Sequence, residues 1–309
     1  MRAMVLGGTG FIGSHLVDRL LAEGHQVRVL SRSPERFRAP VPGVDYRQAS
    51  LADIPALVEA CAGIDVVYHL ISTTVPATSN RDPIFDIDSN LVGLVRLLQV
   101  IRESGVRRLV YLSSGGTVYG PPEILPIPEC HPLRPICSYG IVKVAAENYL
   151  QMFHALYGLD YVVVRAANPY GERQGHFGVQ GIIGTFLNQI RRGEELEVWG
   201  DGTLVRDFIH VGDLARLGVL AGTSERVGIY NGGSGRGYSI REVLGVIEQA
   251  VGRKLVVDWR PGRSFDVPKV VLDSSKAVAD FSWRPEIELA EGIGRTWAGL
   301  NNSPRAGSV

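Results

Sequence analysis

From Met1 to about Arg165 the chain alternates two kinds of segment, and that alternation leaves few folds open. Short β-branched runs ("AMVLGG", "QVRVLS", "DVVYHLI", "RLVYLSS", "DYVVVRAA") are separated by longer stretches with helical spacing ("SHLVDRLLAEG", "IPALVEACAG", "NLVGLVRLLQVIRESG"). Strand, helix and strand in repetition predict a parallel sheet covered on both faces, a doubly wound α/β architecture. Gly24, Gly63, Gly105 and Gly158 stand where helices should stop in left-handed caps. After Asn168 the rhythm breaks into loops, a helix near Val179 to Arg192, the segment "VRDFIHVGDLARLGVLAG", a strand "IYNGG", a helix near Ser239 to Val251 and a last helix from about Leu289. The expected division is a large domain over residues 1–167, a smaller mixed α/β lobe over 168–300 with segments returning to the first domain, and a flexible tail over 301–309. No internal repeat is visible.

The totals exclude several functions. A formal charge of zero and a pI near 7.1 leave no basic excess for nucleic acid or an anionic membrane face. The chain enters the apolar run "MVL" at once and has no stretch of 18 or more apolar residues, so neither a signal peptide nor a membrane span is expected. Cys61, Cys130 and Cys137 lack metal-ligand spacing, which favours free thiols in a reducing, cytoplasmic compartment and no zinc site.

Two motifs carry chemistry. "GGTGFIG" closes the first strand and opens the first helix, placing Gly7, Gly10 and Gly13 at Gly-x-x-Gly-x-x-Gly spacing. Bare glycine admits a pyrophosphate to the backbone, and the helix N-terminus offers unpaired N–H groups, so a Rossmann-type dinucleotide site is expected. "SYGIVK" sets Tyr139 and Lys143 one helical turn apart, and with 28 arginines against 4 lysines this chain rarely writes lysine. The bland alternative pairs Lys143 with Glu147 one turn further on, worth only ~0.3–0.5 kcal/mol.

These motifs, with "SSGGTVYG" at 113–120, "ANPYG" at 167–171 and "VRDFIHVGDLA" at 205–215, occur in the order typical of extended short-chain dehydrogenases/reductases. The chain resembles the NAD-dependent epimerase/dehydratase family, and within it the nucleotide-sugar epimerases related to UDP-glucose 4-epimerase. The resemblance implies transient oxidation at C4 of a sugar nucleotide, with Tyr139 as the acid/base and Lys143 on the nicotinamide ribose. It implies further cofactor contacts at Phe11 and Ile12 beside the loop glycines, Ser31 and Arg32, Ser50 and Leu51 at the adenine, His69, Leu70, Asn90, Ser113 and Pro169. Core packing is the competing reading for several of these, His69 especially. For the substrate, the family's UDP-linked sugar, it implies Asn168, Arg206 and Arg263 near the diphosphate and Asp266 on the nucleotide ribose, while His210 reads as structural.

The chain departs from that pattern in three places. Where relatives carry a catalytic Ser or Thr it has Gly115, so the hydroxyl falls to Ser114 or Thr117; strand alternation puts Thr117 on the face of position 115 and Ser114 on the other. Gly116 and Thr117 also replace the Asp-Glu pair of a 4,6-dehydratase. The second strand ends in Ser31 and Arg32, where an NAD site has Asp; local chemistry favours NADP and the family favours NAD. Val270 stands where relatives confined to plain hexoses carry an aromatic ring, which leaves room for an N-acetyl group. The rivals to an epimerase are an NADP-dependent nucleotide-sugar reductase or dehydratase and a non-catalytic dinucleotide sensor. A phenol lowered jointly by the neighbouring ammonium and the cationic nicotinamide, and a homodimer, are also expected, the latter from apolar residues around Leu91–Ile101 and the helix carrying Tyr149, Leu150, Met152 and Phe153.

Overall fold

The computed structural model describes residues 1–174, 181–262 and 267–302. In chain order the first part is β1 (Arg2–Leu6), α1 (Phe11–Ala22), β2 (Gln26–Ser31), β3 (Asp45–Gln48), α2 (Ile54–Cys61), β4 (Val66–His69), α3 (Pro76–Ser79), α4 (Pro83–Asp86), a π-helical turn (Ile87–Val92) leading into α5 (Gly93–Ser104), β5 (Arg108–Ser114), α6 (Ser138–Tyr157) and β6 (Asp160–Ala166). The remainder is β7 (Asn168–Tyr170), α7 (Ile182–Arg192), β8 (Leu196–Trp199), β9 (Val205–His210), α8 (Val211–Thr223), β10 (Gly228–Gly232), β11 (Gly237–Ser239), α9 (Ile240–Val251), β12 (Val257–Arg260), β13 (Lys269–Val270), α10 (Ser275–Phe281) and α11 (Leu289–Asn302).

Seven strands form one parallel sheet in the order β10-β6-β5-β4-β1-β2-β3. Because β1 pairs with β2 on one side and β4 on the other, the winding reverses at β1. Its carboxyl end is therefore the crevice where doubly wound sheets take ligands. Alternation along the strands loads both faces: Val5, Tyr68 and Val110 pack with Leu16 and Leu217, while Leu6, Val67 and Leu109 pack with Leu57, Leu97 and Leu150. Gly24, Gly63, Gly105 and Gly158 all have φ between 69° and 79°, a conformation that costs a side-chained residue about 1–2 kcal/mol. Strand β10 joins the large sheet beside β6, and α8 packs on α1, so residues 211–232 lie with the first half of the chain.

A smaller sheet is built on β9, which pairs parallel with β7 and β13 and antiparallel with β11. A separate core of Phe186, Leu187, Leu244, Ile247 and Ile293 joins α7, α9 and α11. Among the described residues no helix is long and apolar enough to cross a membrane, and no group of three metal-ligating side chains occurs. The three cysteines are free.

Candidate active site

The glycine loop fits the backbone of a dinucleotide. Gly7 has φ 83°, Gly10 precedes α1 without any side-chain cap, and a Cβ on Gly13 would overlap the Gly7 carbonyl oxygen. The loop thus closes on itself only with glycine, leaving the first N–H groups of α1 open to a pyrophosphate. Phe11 and Ile12 begin α1; Ile12 faces a narrow apolar slot with Leu70, Val110 and Leu112. Ser50 is half-buried with its Oγ accepting from Ala52 N at 3.1 Å, and Leu51 is buried beneath α5, where a Cβ on Gly93 would lie 3.2 Å from it.

Tyr139 and Lys143 lie in the first turns of α6. Lys143 is 5% exposed and donates from Nζ to the Leu112 carbonyl at 2.8 Å, with its ammonium 4.6 Å from the Tyr111 ring centre and 5.5 Å from that of Tyr139. The alternative pairing with Glu147 is not formed. Glu147 is buried and held by Arg165, Nη2 to Oε2 at 2.6 Å, and by Ser113 Oγ at 2.6 Å. Burial lowers Lys143 to about 8. It also pushes Tyr139 up to about 12, with Cys137 and Asp86 adding to the rise and a hydrogen bond with Ser72 opposing it.

Burial thus opposes the lowering expected from the ammonium and the nicotinamide together. The ammonium lies over the ring, while dry surroundings and an acidic neighbour face the hydroxyl. Bringing such a phenol to half-ionisation at pH 7 takes about 7 kcal/mol, which the ammonium and a bound cationic nicotinamide would have to supply together.

Sequence reasoning missed Asp86. It is fully buried, and its carboxylate accepts from Thr74 Oγ1 at 2.6 Å, Asn90 Nδ2 at 2.8 Å and Ser138 Oγ at 2.7 Å. It therefore ties the segment after β4 to the residue before Tyr139. The i, i+4 spacing of Asp86 and Asn90 was the available signal. Ser72, three residues past His69, carried none.

Several expected cofactor contacts turn inward. His69 is 2% exposed, packs against Tyr111 at 5.3 Å between ring centres, and is lowered to about 3 by burial and then by Lys143. Its ring is buried, and both ring nitrogens lack a partner among the described residues. The Ser113 hydroxyl is spent on Glu147. Asn90 is occupied too, donating to Asp86 and Thr74 Oγ1 and accepting from Thr73 N at 2.9 Å.

The missing hydroxyl at position 115 has a physical cause. A Cβ on Gly115 would lie 2.5 Å from Leu272 Cδ1 and 3.2 Å from the Arg165 carbonyl. β5 stops at Ser114, and Thr117 N returns to the Ser114 carbonyl at 3.3 Å, so the expected alternation through Thr117 is replaced by a turn. Thr117 Oγ1 is buried without a partner among the described residues. Ser114 is half-buried, and the space beside it is open: a Cβ on Gly116 would meet nothing nearer than Ser114 Oγ at 4.0 Å.

On the smaller lobe, Asn168, Pro169 and Arg206 come together on a cavity of about 260 Å³ whose other walls include Trp199, Phe208 and Ile240. Pro169, expected at the nicotinamide, thus lines this cavity. Asn168 Nδ2 donates to the Asp207 carbonyl at 2.9 Å, fixing β7 to β9. Val270 is 5% exposed and joins the core cluster of Tyr119, Ile127 and Leu272 rather than the cavity wall, so its small size opens no room there. Arg263 and Asp266 lie outside the described residues, as do positions 303–309 of the expected tail. His210 caps α8, accepting from Gly212 N at 3.1 Å, which is a structural duty.

The sequence profile described as the NAD dependent epimerase/dehydratase family matches residues 3–233. The UDP-glucose 4-epimerase of Mycolicibacterium smegmatis is 37% identical over 308 residues, covering 96% of this chain and 97% of that one. Among solved structures, the Thermotoga maritima UDP-glucose 4-epimerase with UDP-glucose superposes with a TM-score of 0.93 at 33% identity, over 97% of this chain and 99% of that one. The Thermus thermophilus UDP-glucose 4-epimerase in complex with NAD gives 0.92 at 35% identity, over 98% and 100%.

Proposed function

Since the chain belongs to the NAD dependent epimerase/dehydratase family, we propose that it is a nucleotide-sugar 4-epimerase acting on UDP-linked hexoses. The observation that carries this reading is the Tyr139–Lys143 pair, with Lys143 anchored on Leu112 O instead of being neutralised by Glu147. The glycine loop holds the dinucleotide and Lys143 its nicotinamide ribose. When bound, that cofactor supplies a hydride acceptor and a positive ring. Tyr139 takes the 4-hydroxyl proton and later returns it, the Ser114 hydroxyl hydrogen-bonds the same oxygen, and Asp86 fixes the start of α6 through Ser138. Asn168 and Arg206 hold the substrate at the cavity between α7, β7 and β9.

Because Val270 is a core residue, the argument for an N-acetyl pocket loses its footing, and plain hexose is the reading retained. Gly116 and Thr117 offer no acid/base pair for a dehydratase. An epimerase returns its hydride internally, so UDP-galactose should convert to UDP-glucose with no added reductant and no net change in absorbance at 340 nm. Stoichiometric consumption of NAD(P)H would make it a reductase; no conversion of either sugar would fit a sensor.

The enzyme works as a homodimer in this reading. Leu94, Leu97, Leu98, Val100 and Ile101 are covered by the subunit's own core, which removes most of the apolar excess expected of α5. Exposed apolar side chains stand instead at Ile84, Phe85 and Ile87 ahead of α5 and at Ile141, Met152 and Leu156 on α6. The free thiols support a cytoplasmic location.

A further inference from the structure

Tyr139 is the second residue of α6, in the turn that a helix holds least well by itself. The i to i−4 ladder begins with Ile141 N on the Cys137 carbonyl at 3.1 Å, so the N–H groups of Ser138 and Tyr139 have no acceptor within the helix. The N-cap residue is Cys137, not one of the oxygen-bearing side chains that usually supply one. Lys143, a turn further in, is anchored on Leu112 O and does not depend on the cap in this way.

Both N–H groups are met from far along the chain. Ser138 N donates to Asn80 Oδ1 at 2.8 Å and Tyr139 N to Ser79 Oγ at 3.1 Å, partners 58 and 60 residues away. The cap of the catalytic helix is thus built from the last residue of α3 and the one after it, beside the bond from Ser138 Oγ to Asp86.

The capping segment starts on the dinucleotide loop. Ile71 N and Cγ1 lie 3.5 and 3.3 Å from where a Cβ on Gly7 would stand. Between its two ends the segment is pinned to the residues ahead of α5: Thr73 N donates to Asn90 Oδ1 at 2.9 Å, Thr73 Oγ1 bonds Ser89 Oγ, and Thr74 Oγ1 donates to Asp86 at 2.6 Å. Residues 71–80 therefore run from the glycine loop to the backbone of Tyr139 with the intermediate positions held.

We propose that Ser79 and Asn80 are positioning residues for catalysis: they hold the Tyr139 backbone at the end of a spacer that begins on the dinucleotide loop, and so set where the phenol stands relative to cofactor and sugar. The proposal rests on the reading of Tyr139 as the acid/base of an epimerase. Misplacing reacting groups by about 1 Å can cost on the order of 10²-fold in rate, so a loosened first turn is read in kcat.

Asn80 gives the cleaner test, because it is exposed and meets Ser138 N through its oxygen. Asn80→Ala removes that acceptor, whereas Asn80→Asp keeps it with a charge that a helix N-terminus favours. With UDP-galactose as substrate, Asn80→Ala should lower kcat about fivefold or more while KM, and the Kd for NAD measured calorimetrically on cofactor-depleted protein, stay within about twofold of wild type. Asn80→Asp should bring kcat back to within about twofold. A cap that served folding alone would lower the urea midpoint and leave kcat unchanged. Unchanged kcat in Asn80→Ala, a loss carried by KM or by the Kd for NAD, or a loss that Asn80→Asp does not recover overturns the proposal and leaves the epimerase reading standing. Wild-type protein that converts no UDP-galactose overturns both.

Discussion

Replacing Lys143 by Met should stabilise the cofactor-depleted protein at neutral pH while removing its activity. The lysine is 5% exposed, and burial brings it from 10.5 to about 8. Protonated Lys143 therefore costs the folded state about 3 kcal/mol relative to the unfolded chain. Methionine fills a similar volume without charge, but the hydrogen bond to Leu112 O is lost, at about 1 kcal/mol. The net gain is about 2 kcal/mol below pH 8, where both states of the wild type are protonated. Between pH 8 and 10.5 the unfolded chain keeps a proton that the folded protein has released, so wild-type stability rises toward that of the variant and the gap closes. Urea unfolding at equal protein concentration, at pH 7 and near pH 10, measures both numbers; depletion matters because bound dinucleotide adds its own stabilisation. A variant no more stable than wild type at pH 7, or a gap that ignores pH, refutes the claim that a buried charge is held here at the expense of stability.

Three further outcomes follow from the site. Tyr139→Phe should unfold like the wild type yet turn over at least ~10²-fold more slowly, the usual scale of a lost general acid/base, and near-wild-type rates would remove the phenol from the mechanism. Ser114→Ala should slow turnover tenfold or more, about 1.4 kcal/mol of barrier, and Thr117→Val much less, because only the first hydroxyl borders open space; the reverse order in the same assay would reassign the role. Sedimentation at micromolar concentration should give a dimer, and Leu156→Glu on the exposed face of α6 should shift it to monomer without loss of secondary structure; monomer in the wild type contradicts the proposed interface.

Local chemistry made much of this protein legible in the sequence. The period-2 and period-3.6 runs set the parallel sheet, the glycine spacing set the loop after β1, and four C-cap glycines marked helix ends, because each is a constraint between residues close in the chain. Tyr139 and Lys143 were visible for the same reason: one helical turn is a sequence distance. What tertiary structure decided were the contacts made across the fold. Leu272, 157 residues from Gly115, packs where a Cβ at that position would stand 2.5 Å from its Cδ1. Arg165 takes Glu147 from Lys143, and Asp86 reaches forward to Ser138. Burial, too, is a property of the assembled fold, and it raises Tyr139 against the lowering that nearby cations would give.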